Sequence, residues 1–249
     1  MKHLLKHLDE IRNRSLLLLL DYDGTLTPIV SRPEYAVLSD DVRNVLKKIA
    51  EKHPIAVISG RAVDDVKNMV KVENIYYAGN HGFEITNDVR FVNPGAEKVK
   101  PVINDICRKM EKKLAHIKGS IVENKGVTAS VHYRMVSAND FIELEKIFDE
   151  VVASYVEEGE IRITKGKKVF ELRPNIEWDK GKAVEWVIDA IGKEGIPVYI
   201  GDDRTDEDAF IALRNKGVTA LVSEKRKETN AEYWLRNVDE VKSFLEGLL

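Results

Sequence analysis

Five consecutive leucines, Leu16 to Leu20, run straight into Asp21, Tyr22, Asp23, Gly24 and Thr25. Successive side chains of a strand point to opposite faces, so an unbroken apolar run bounded by charge and glycine reads as a strand buried on both sides in a parallel sheet. Function is expected at the carboxyl end of such a strand. Five residues fall far short of the roughly 20 that span a bilayer, and below the roughly 7 to 15 of a secretory signal. The chain is therefore expected in the cytoplasm, with no membrane partner.

The strand opens a regular alternation. Ser39 followed by Asp40 and Asp41 is an N-cap with an acidic first turn, and Val42, Val45, Leu46, Ile49 and Ala50 recur at helical spacing before His53 and Pro54. Ile55 to Ile58 predicts a second buried strand, Ala62 to Val70 a helix, and Ile75 to Ala78 a third strand, completing a βαβαβ unit. After Gly82 the rhythm breaks, and a hairpin turning at Thr86 to Asp88 is predicted. Val99, Val102, Ile103, Ile106, Met110 and Leu114 then mark a long amphipathic helix. Strands follow around Ser120 to Glu123 and Val127 to Met135, then a helix from Ala138 to Tyr155 and two strands flanking a turn at Lys165 to Lys167. That order, αββαββ, describes a small sheet layered with two helices.

Beyond Pro174 the first rhythm returns: a helix from Asp179 to about Lys193, the strand Val198 to Ile200, a helix from about Asp206, the strand Thr219 to Val222 and a last helix over Val238 to Leu248. The chain reads as a discontinuous, Rossmann-like α/β core, residues 1–83 and 175–249, interrupted by an inserted α+β domain, residues 84–174.

Composition limits the ligands. Lys plus Arg is 39 and Asp plus Glu is 42, a net charge of −3, so no global basic field points to nucleic acid. An anionic ligand must be held locally. Cys107, the single cysteine, allows neither an internal disulfide nor a cysteine metal cluster; it fits a reducing compartment and reads as a small buried hydrophobe.

Three predicted strand ends of the core carry polar clusters: DYDGT at 21–25, SGR at 59–61 and GDDRTDED at 201–208. In a doubly wound sheet these ends converge, bringing Asp21, Asp23, Asp202, Asp203 and Asp206 toward one crevice. Two like charges about 4 Å apart repel by about 4 kcal/mol at an effective dielectric of 20, so several pairs rival the stability of a whole domain. A divalent cation relieves the repulsion, and an all-oxygen donor set selects a hard ion, Mg²⁺. Each aspartate alone serves equally well as a cap or turn residue. Three clusters at three strand ends, beside Gly24, Gly60 and Gly201, exceed what capping requires.

In that chain order, DYDGT, SGR, the lysine of WDKGKA and GDDRTDED resemble the four motifs of haloacid dehalogenase-type phosphatases. The resemblance implies an aspartyl-phosphate intermediate, with Asp21 as nucleophile and Asp23 as general acid and base. It implies Mg²⁺ held by the side chains of Asp21 and Asp202 and the main-chain carbonyl of Asp23, with Asp206 and Asp203 ordering the outer shell. Ser59 and the N–H groups near Gly60 would hold phosphoryl oxygens, Lys180 would complete the cage, and Arg61 is the stronger candidate than Arg204 for a further anion contact. Lys182, two residues on, reads as a solvated helix lysine.

The insert resembles the C2-type caps of sugar phosphatases. Within and beside it, GNHG at 79–82, VENKGVTASVHYR at 122–134 and FELRPNIEWDKGKA at 170–183 look like trehalose-6-phosphate phosphatases. Lys125, His132, Arg134, Glu171 and Arg173 offer the donors and acceptors that bind sugar hydroxyls, and the resemblance implies substrate contact at Lys125, Glu171 and Arg173; Asn80 and His81 lie at a strand end near the phosphate, where His81 reads equally as a turn residue. Residues two apart in a strand share a face, so His132 with Arg134, and Glu171 with Arg173, are expected to point the same way. Without the resemblance these five read as a solvated face with cross-strand ion pairs. The expected reaction is hydrolysis of free trehalose 6-phosphate, since 249 residues hold only the phosphatase and no fused glycosyltransferase. A separate trehalose-6-phosphate synthase is admitted as a partner, although no residue points to one.

Three rivals are open. Another C2-capped phosphatase, for sucrose 6-phosphate, mannosyl-3-phosphoglycerate or a hexose phosphate, would keep the same core. A response-regulator receiver also uses a phosphoacceptor aspartate, but places it after the third strand of a chain about half this size. An inactive regulatory module is disfavoured because every expected catalytic position is filled.

Overall fold

The computed structural model describes residues 1–30, 32–87, 90–192 and 195–249. In chain order its elements are β1 (Lys2–His3), α1 (Leu8–Ile11), β2 (Leu16–Asp21), α2 (Asp40–Ala50), β3 (Ile55–Ile58), α3 (Val63–Val70), β4 (Tyr76–Gly79), β5 (Glu84–Thr86) and β6 (Arg90–Val92). Then come α4 (Pro94–Leu114), β7 (Ile121–Asn124), β8 (Ala129–His132), α5 (Ala138–Glu157), β9 (Ile161–Gly166) and β10 (Val169–Pro174). The remainder is α6 (Lys180–Ile191), β11 (Ile196–Gly201), α7 (Asp206–Ala212), β12 (Val218–Val222), β13 (Tyr233–Leu235) and α8 (Val238–Glu246). The chain divides into two compact units, Met1–Phe91 with Trp178–Leu249, and Val92–Glu177.

Among the described residues, the sheet of the first unit runs β1-β13-β12-β11-β2-β3-β4-β5-β6. Pairing is parallel from β1 through β4 and turns antiparallel between β4 and β5. The leucine run occupies the centre. Leu16, Leu18 and Leu20 pack into one layer with Val42, Leu46, Val66 and Phe244 of α2, α3 and α8, while Leu17 and Leu19 pack into the other with Val184, Val187 and Phe210 of α6 and α7. Burying a leucine is worth about 1.5–3 kcal/mol as an upper bound, so this strand alone anchors both layers. Chain order reverses beside β2: β3 and β4 build outward on one side, β11, β12 and β13 on the other. The switch point at which such folds bind ligands therefore falls at Asp21.

The second unit has the antiparallel order β7-β8-β10-β9. Ala129, Val131, Phe170 and Leu172 face a core with Ile103, Ile106 and Met110 of α4 and Leu144, Phe148 and Val151 of α5. Cys107 lies in the same core, where burial pushes its thiol up to about 12, as a small hydrophobe should behave.

Several boundaries differ from those expected. The hairpin β5–β6 extends the first unit's sheet through its pairing with β4, so the units change over at Phe91 rather than residue 83, and at Trp178 rather than 175. Asn93 caps α4 by accepting from Gly95 and Ala96, with Pro94 at the first position, so this helix starts before Val99. The strand expected over Val127 to Met135 forms only over Ala129–His132, which leaves Arg134 beyond its end. β1 and β13, too short and mixed to show a pattern, pair in parallel at the sheet edge. The expected turn residue Asp88 and the expected helix end Lys193 lie outside the described residues. Among the described residues no helix is long and apolar enough to cross a membrane.

Candidate active site

Register builds the site. Leu20 pairs with Ile200 and Asp21 with Ile58, so the segments after β2, β3 and β11 leave the sheet side by side. Carboxylate oxygens of Asp21, Asp202 and Asp206 come within 4.8 Å of one another. Between two of them lies Lys180, at the start of α6 behind the Asp179 N-cap. Its ammonium donates to Asp21 Oδ1 at 2.7 Å and to Asp206 Oδ1 at 2.6 Å, with all three side chains buried. Burial opposes the charge on Lys180, yet Asp206 and Asp21 outweigh it and hold its pKa well above the ordinary lysine value. Asp21 is raised well above the carboxylate range, first by burial, with Asp206 and Asp202 adding and Lys180 opposing.

Asp206 is held by protein donors on both oxygens: besides Lys180, the Tyr199 hydroxyl donates to Oδ1 at 2.6 Å and the Asp203 N–H to Oδ2 at 2.8 Å. Burial and then Asp206 raise the Tyr199 pKa, so the phenol stays protonated and donates. Tyr199 is not among the residues expected from sequence. Its only signal is a polar tip in an otherwise apolar strand, two residues before Gly201.

Two expectations need correction. The five-carboxylate cluster resolves into three. Asp23 is drawn into a fork with Arg61, whose Nε and Nη2 donate to its two oxygens at 2.7 Å each, while the guanidinium stacks 5.5 Å from the Tyr22 ring centroid. Asp203 is exposed, and its carboxylate accepts from the main chain of Arg204; its N–H, rather than its side chain, serves the acid group.

Three carboxylates crowded within 4.8 Å of one another suit a divalent cation. Gly24 lets the Asp202 carboxylate approach: it has φ +89°, and a Cβ there would fall 2.3 Å from that carboxylate. The donor set is all oxygen, as hard cations require. Lys227, also missed, donates to the Asp202 carbonyl at 3.0 Å from a loop that Glu207 pins by accepting from Asn230 N–H at 2.7 Å.

Beside this cluster runs the loop of Ser59, Gly60 and Arg61. Ser59 is buried, and its hydroxyl accepts from the Arg61 N–H at 3.2 Å. A Cβ on Gly60 would sit 2.7 Å from the His81 imidazole. Asn80 and His81 are buried and adopt φ of 53° and 58°, a left-handed pair that costs about 1–2 kcal/mol per residue. Lys180 reaches the acid cluster with its ammonium, while the N–H of Lys182, also on α6, is taken by the Asp179 cap.

In the second unit, Glu123, Ser130, Glu171 and Thr164 form one row across four strands, opposite the apolar face. His132 Nε2 lies 2.7 Å from Glu123 Oε2, and Lys125 Nζ 3.8 Å from the same oxygen. Arg173 is buried and donates to Glu171 Oε2, which also accepts from Thr164 Oγ1 at 3.3 Å. Glu171 and Arg173 thus share a face as expected. Arg134, off the strand, is exposed and donates to the Lys167 carbonyl at 3.1 Å. Glu123, Ser130 and Thr164 are polar partners that single residue types did not reveal.

The fold, a doubly wound sheet with Lys180 set between Asp21 and Asp206 at its switch point, is shared with a haloacid dehalogenase-like hydrolase from Bacteroides thetaiotaomicron, which superposes with a TM-score of 0.65 at 19% identity, covering 94% of this chain and 100% of that one. The family model described as trehalose-phosphatase matches residues 19–239. The chain is 40% identical over 261 residues to probable trehalose-phosphate phosphatase 3 of Oryza sativa subsp. japonica, covering 96% of this chain and 70% of that one. It is 41% identical over 259 residues to probable trehalose-phosphate phosphatase E of Arabidopsis thaliana, covering 97% and 72%. Among solved structures, the C-terminal domain of C. albicans trehalose-6-phosphate phosphatase superposes with a TM-score of 0.78 at 26% identity, covering 98% of this chain and 94% of that one. The chain belongs to the trehalose-phosphatase family, and is a phosphoric monoester hydrolase.

Proposed function

We propose that this protein hydrolyses trehalose 6-phosphate to trehalose and inorganic phosphate, with Mg²⁺ at the acid cluster and a phosphorylated Asp21 as intermediate. One observation carries the chemistry: in a chain of this family, Lys180 bridges Asp21 and Asp206 with Asp202 beside them, an acidic cluster at a strand end.

Mg²⁺ would be held by the carboxylates of Asp21 and Asp202 and the main-chain carbonyl of Asp23, and supplies the positive charge that lets a carboxylate meet a phosphate dianion. Lys180 fixes the nucleophile by occupying Asp21 Oδ1, leaving Oδ2 to attack. Asp206, gripped by Lys180, Tyr199 and the Asp203 N–H, acts from outside by holding the lysine in place. Ser59 and the N–H groups of its loop donate to the phosphoryl oxygens.

In the first half-reaction an Asp21 oxygen bonds to phosphorus, the ester P–O bond breaks, and Asp23 gives its proton to the departing sugar oxygen. In the second, Asp23 takes a proton from water, the water oxygen bonds to phosphorus, and the P–O bond to Asp21 breaks, releasing phosphate. Both Asp23 oxygens accept from Arg61. A phosphate dianion competing for that guanidinium frees one of them, which couples substrate arrival to proton transfer.

Specificity is assigned to the polar sheet face of the second unit. Carboxylates such as Glu171 and Glu123 accept from sugar hydroxyls, while Lys125, His132 and Arg173 donate. Exposed and engaged with the Lys167 carbonyl, Arg134 is the weakest of these assignments. Phosphate release from a panel of trehalose 6-phosphate, sucrose 6-phosphate, mannosyl-3-phosphoglycerate and hexose phosphates tests the reading. Trehalose 6-phosphate should be preferred, and a clear preference for another ester would overturn it.

A further inference from the structure

Glu84 is a buried carboxylate that the proposed reaction does not use. It follows GNHG by two residues, at the start of β5 and in register with Gly79. Its Oε2 accepts from Asn80 Nδ2 at 2.6 Å, and its Oε1 from Arg90 Nη2 at 2.8 Å. Arg90 also reaches Asp64, in the first turn of α3, at 3.2 Å.

Through Asn80, Glu84 grips the left-handed turn. With φ of 53° and 58°, Asn80 and His81 hold a conformation that side-chain-bearing residues avoid unless their surroundings enforce it. The turn presents two main-chain donors to one loop: Asn80 N–H to the Arg61 carbonyl at 2.6 Å, and His81 N–H to the Ser59 carbonyl at 2.9 Å. Arg61 in turn places its fork on Asp23. A continuous set of contacts therefore runs from Arg90 through Glu84, Asn80 and the Arg61 main chain to the proposed acid.

We propose that Glu84 is a positioning residue, which locks the Asn80–His81 turn and through it sets the Ser59–Arg61 loop to receive a phosphoryl group. The proposal rests on reading that loop as the phosphate seat. A purely structural ion pair in the β5–β6 hairpin would affect stability alone. A positioning residue changes phosphate affinity and turnover while the fold and the acid cluster stay intact.

The test measures inorganic phosphate affinity by calorimetry in Mg²⁺, and kcat/KM with both an aryl phosphate and trehalose 6-phosphate. Glu84→Ala should weaken phosphate binding and lower kcat/KM about 10- to 100-fold, the range of a hydrogen bond to a charged group, on both esters. Mg²⁺ affinity should not move. Glu84→Gln preserves the shape and so guards against misfolding; its one carbonyl must serve both Asn80 and Arg90, and a smaller loss of about threefold or more is expected. Because Glu84 acts through Asn80, the N80A/E84A pair should lose no more than N80A alone. Phosphate affinity and kcat/KM both within twofold of wild type in E84A, or in E84Q if E84A does not fold, would overturn the proposal. So would losses that multiply in the double variant. Wild-type protein that binds phosphate and cleaves the aryl ester but not the sugar ester fails the substrate assignment and leaves Glu84's role standing; protein that neither binds phosphate nor cleaves any ester overturns both.

Discussion

In the first unit, the charged groups that matter lie at or just beyond strand ends, at the carboxyl edge of a parallel sheet, with three carboxylates gathered around the Lys180 ammonium. In the second they sit within or beside antiparallel strands and pair with close neighbours: His132 with Glu123 of the adjoining strand, and Arg173 with Glu171 two residues back along its own strand. A strand end offers no neighbour in register, so its charge must be met by whatever the loops and helix starts deliver. A mid-strand group has a partner on either side. The first unit consequently crowds carboxylates at one edge of its sheet, which fits the proposed cation and phosphate. The second is internally balanced and presents donors and acceptors in pairs, which suits neutral hydroxyls.

The largest effect is expected at Asp21. Asp21→Asn should lower turnover by about 10⁴-fold or more, as loss of a nucleophile does elsewhere. Stability should move the other way. A carboxyl whose folded pKa is raised favours the folded state only while protonated, so its contribution is present below the ordinary pKa of about 3.9 and is lost as pH rises through the folded value. Metal-free wild type should thus be no more stable at pH 7 than Asp21→Asn, and Mg²⁺ should raise the melting temperature of the wild type more than that of the variant. Near-normal turnover in Asp21→Asn would remove Asp21 as nucleophile; a variant much less stable than metal-free wild type would show that the cluster is balanced without a cation.

Next comes the contrast between two lysines. Lys180→Met leaves Asp21 and Asp206 facing each other in a buried site, which should cost about 3–5 kcal/mol in urea denaturation and abolish turnover. Lys165→Met, in the exposed pair with Glu145 of the second unit, should cost under about 1 kcal/mol. Similar costs at both positions would erase the distinction drawn between the units.

A third variant separates chemistry from recognition. Glu171→Ala should lower kcat/KM for trehalose 6-phosphate by about 10- to 100-fold, the range of a charged hydrogen bond, and by less than about threefold for an aryl phosphate. Equal losses on the two substrates would assign Glu171 to the fold or the core chemistry.

The first unit was more legible than the second for a physical reason. Leu16 to Leu20 announce a doubly covered strand, and the residues next to such a strand in chain order are also next to its end in space, so Asp21, Ser59 and Asp202 could be brought together without coordinates. Direction was not readable. Nothing in the composition of DYDGT says that Asp23 turns to Arg61 while Asp21 turns to Lys180, or that Asp203 contributes its N–H. Tyr199 escaped because it meets Asp206 only through the way the chain turns from β11 into α7, and Glu84 because it grips an unusual left-handed turn. In the second unit, periodicity placed Glu171 and Arg173 on one face, but the row they share with Glu123, Ser130 and Thr164 depends on cross-strand register, which no single strand encodes.

The smallest expected effect tests whether every polar residue at a strand end of the first unit serves the site. Thr25 is fully buried, and its hydroxyl has no partner among the described residues, unlike the neighbouring carboxylates. A buried hydroxyl without a hydrogen bond costs stability, and valine has nearly the same shape without it. Thr25→Val should therefore raise the unfolding free energy by up to about 1 kcal/mol in urea titration, with kcat within twofold of wild type. That outcome would separate Thr25, held for its volume beside Gly24, from Asp21 and Asp23, held for their charge. A clear loss of kcat would mean that the hydroxyl gains its partner only when substrate and metal are bound, and that the polar contrast between the two units extends one residue further along DYDGT.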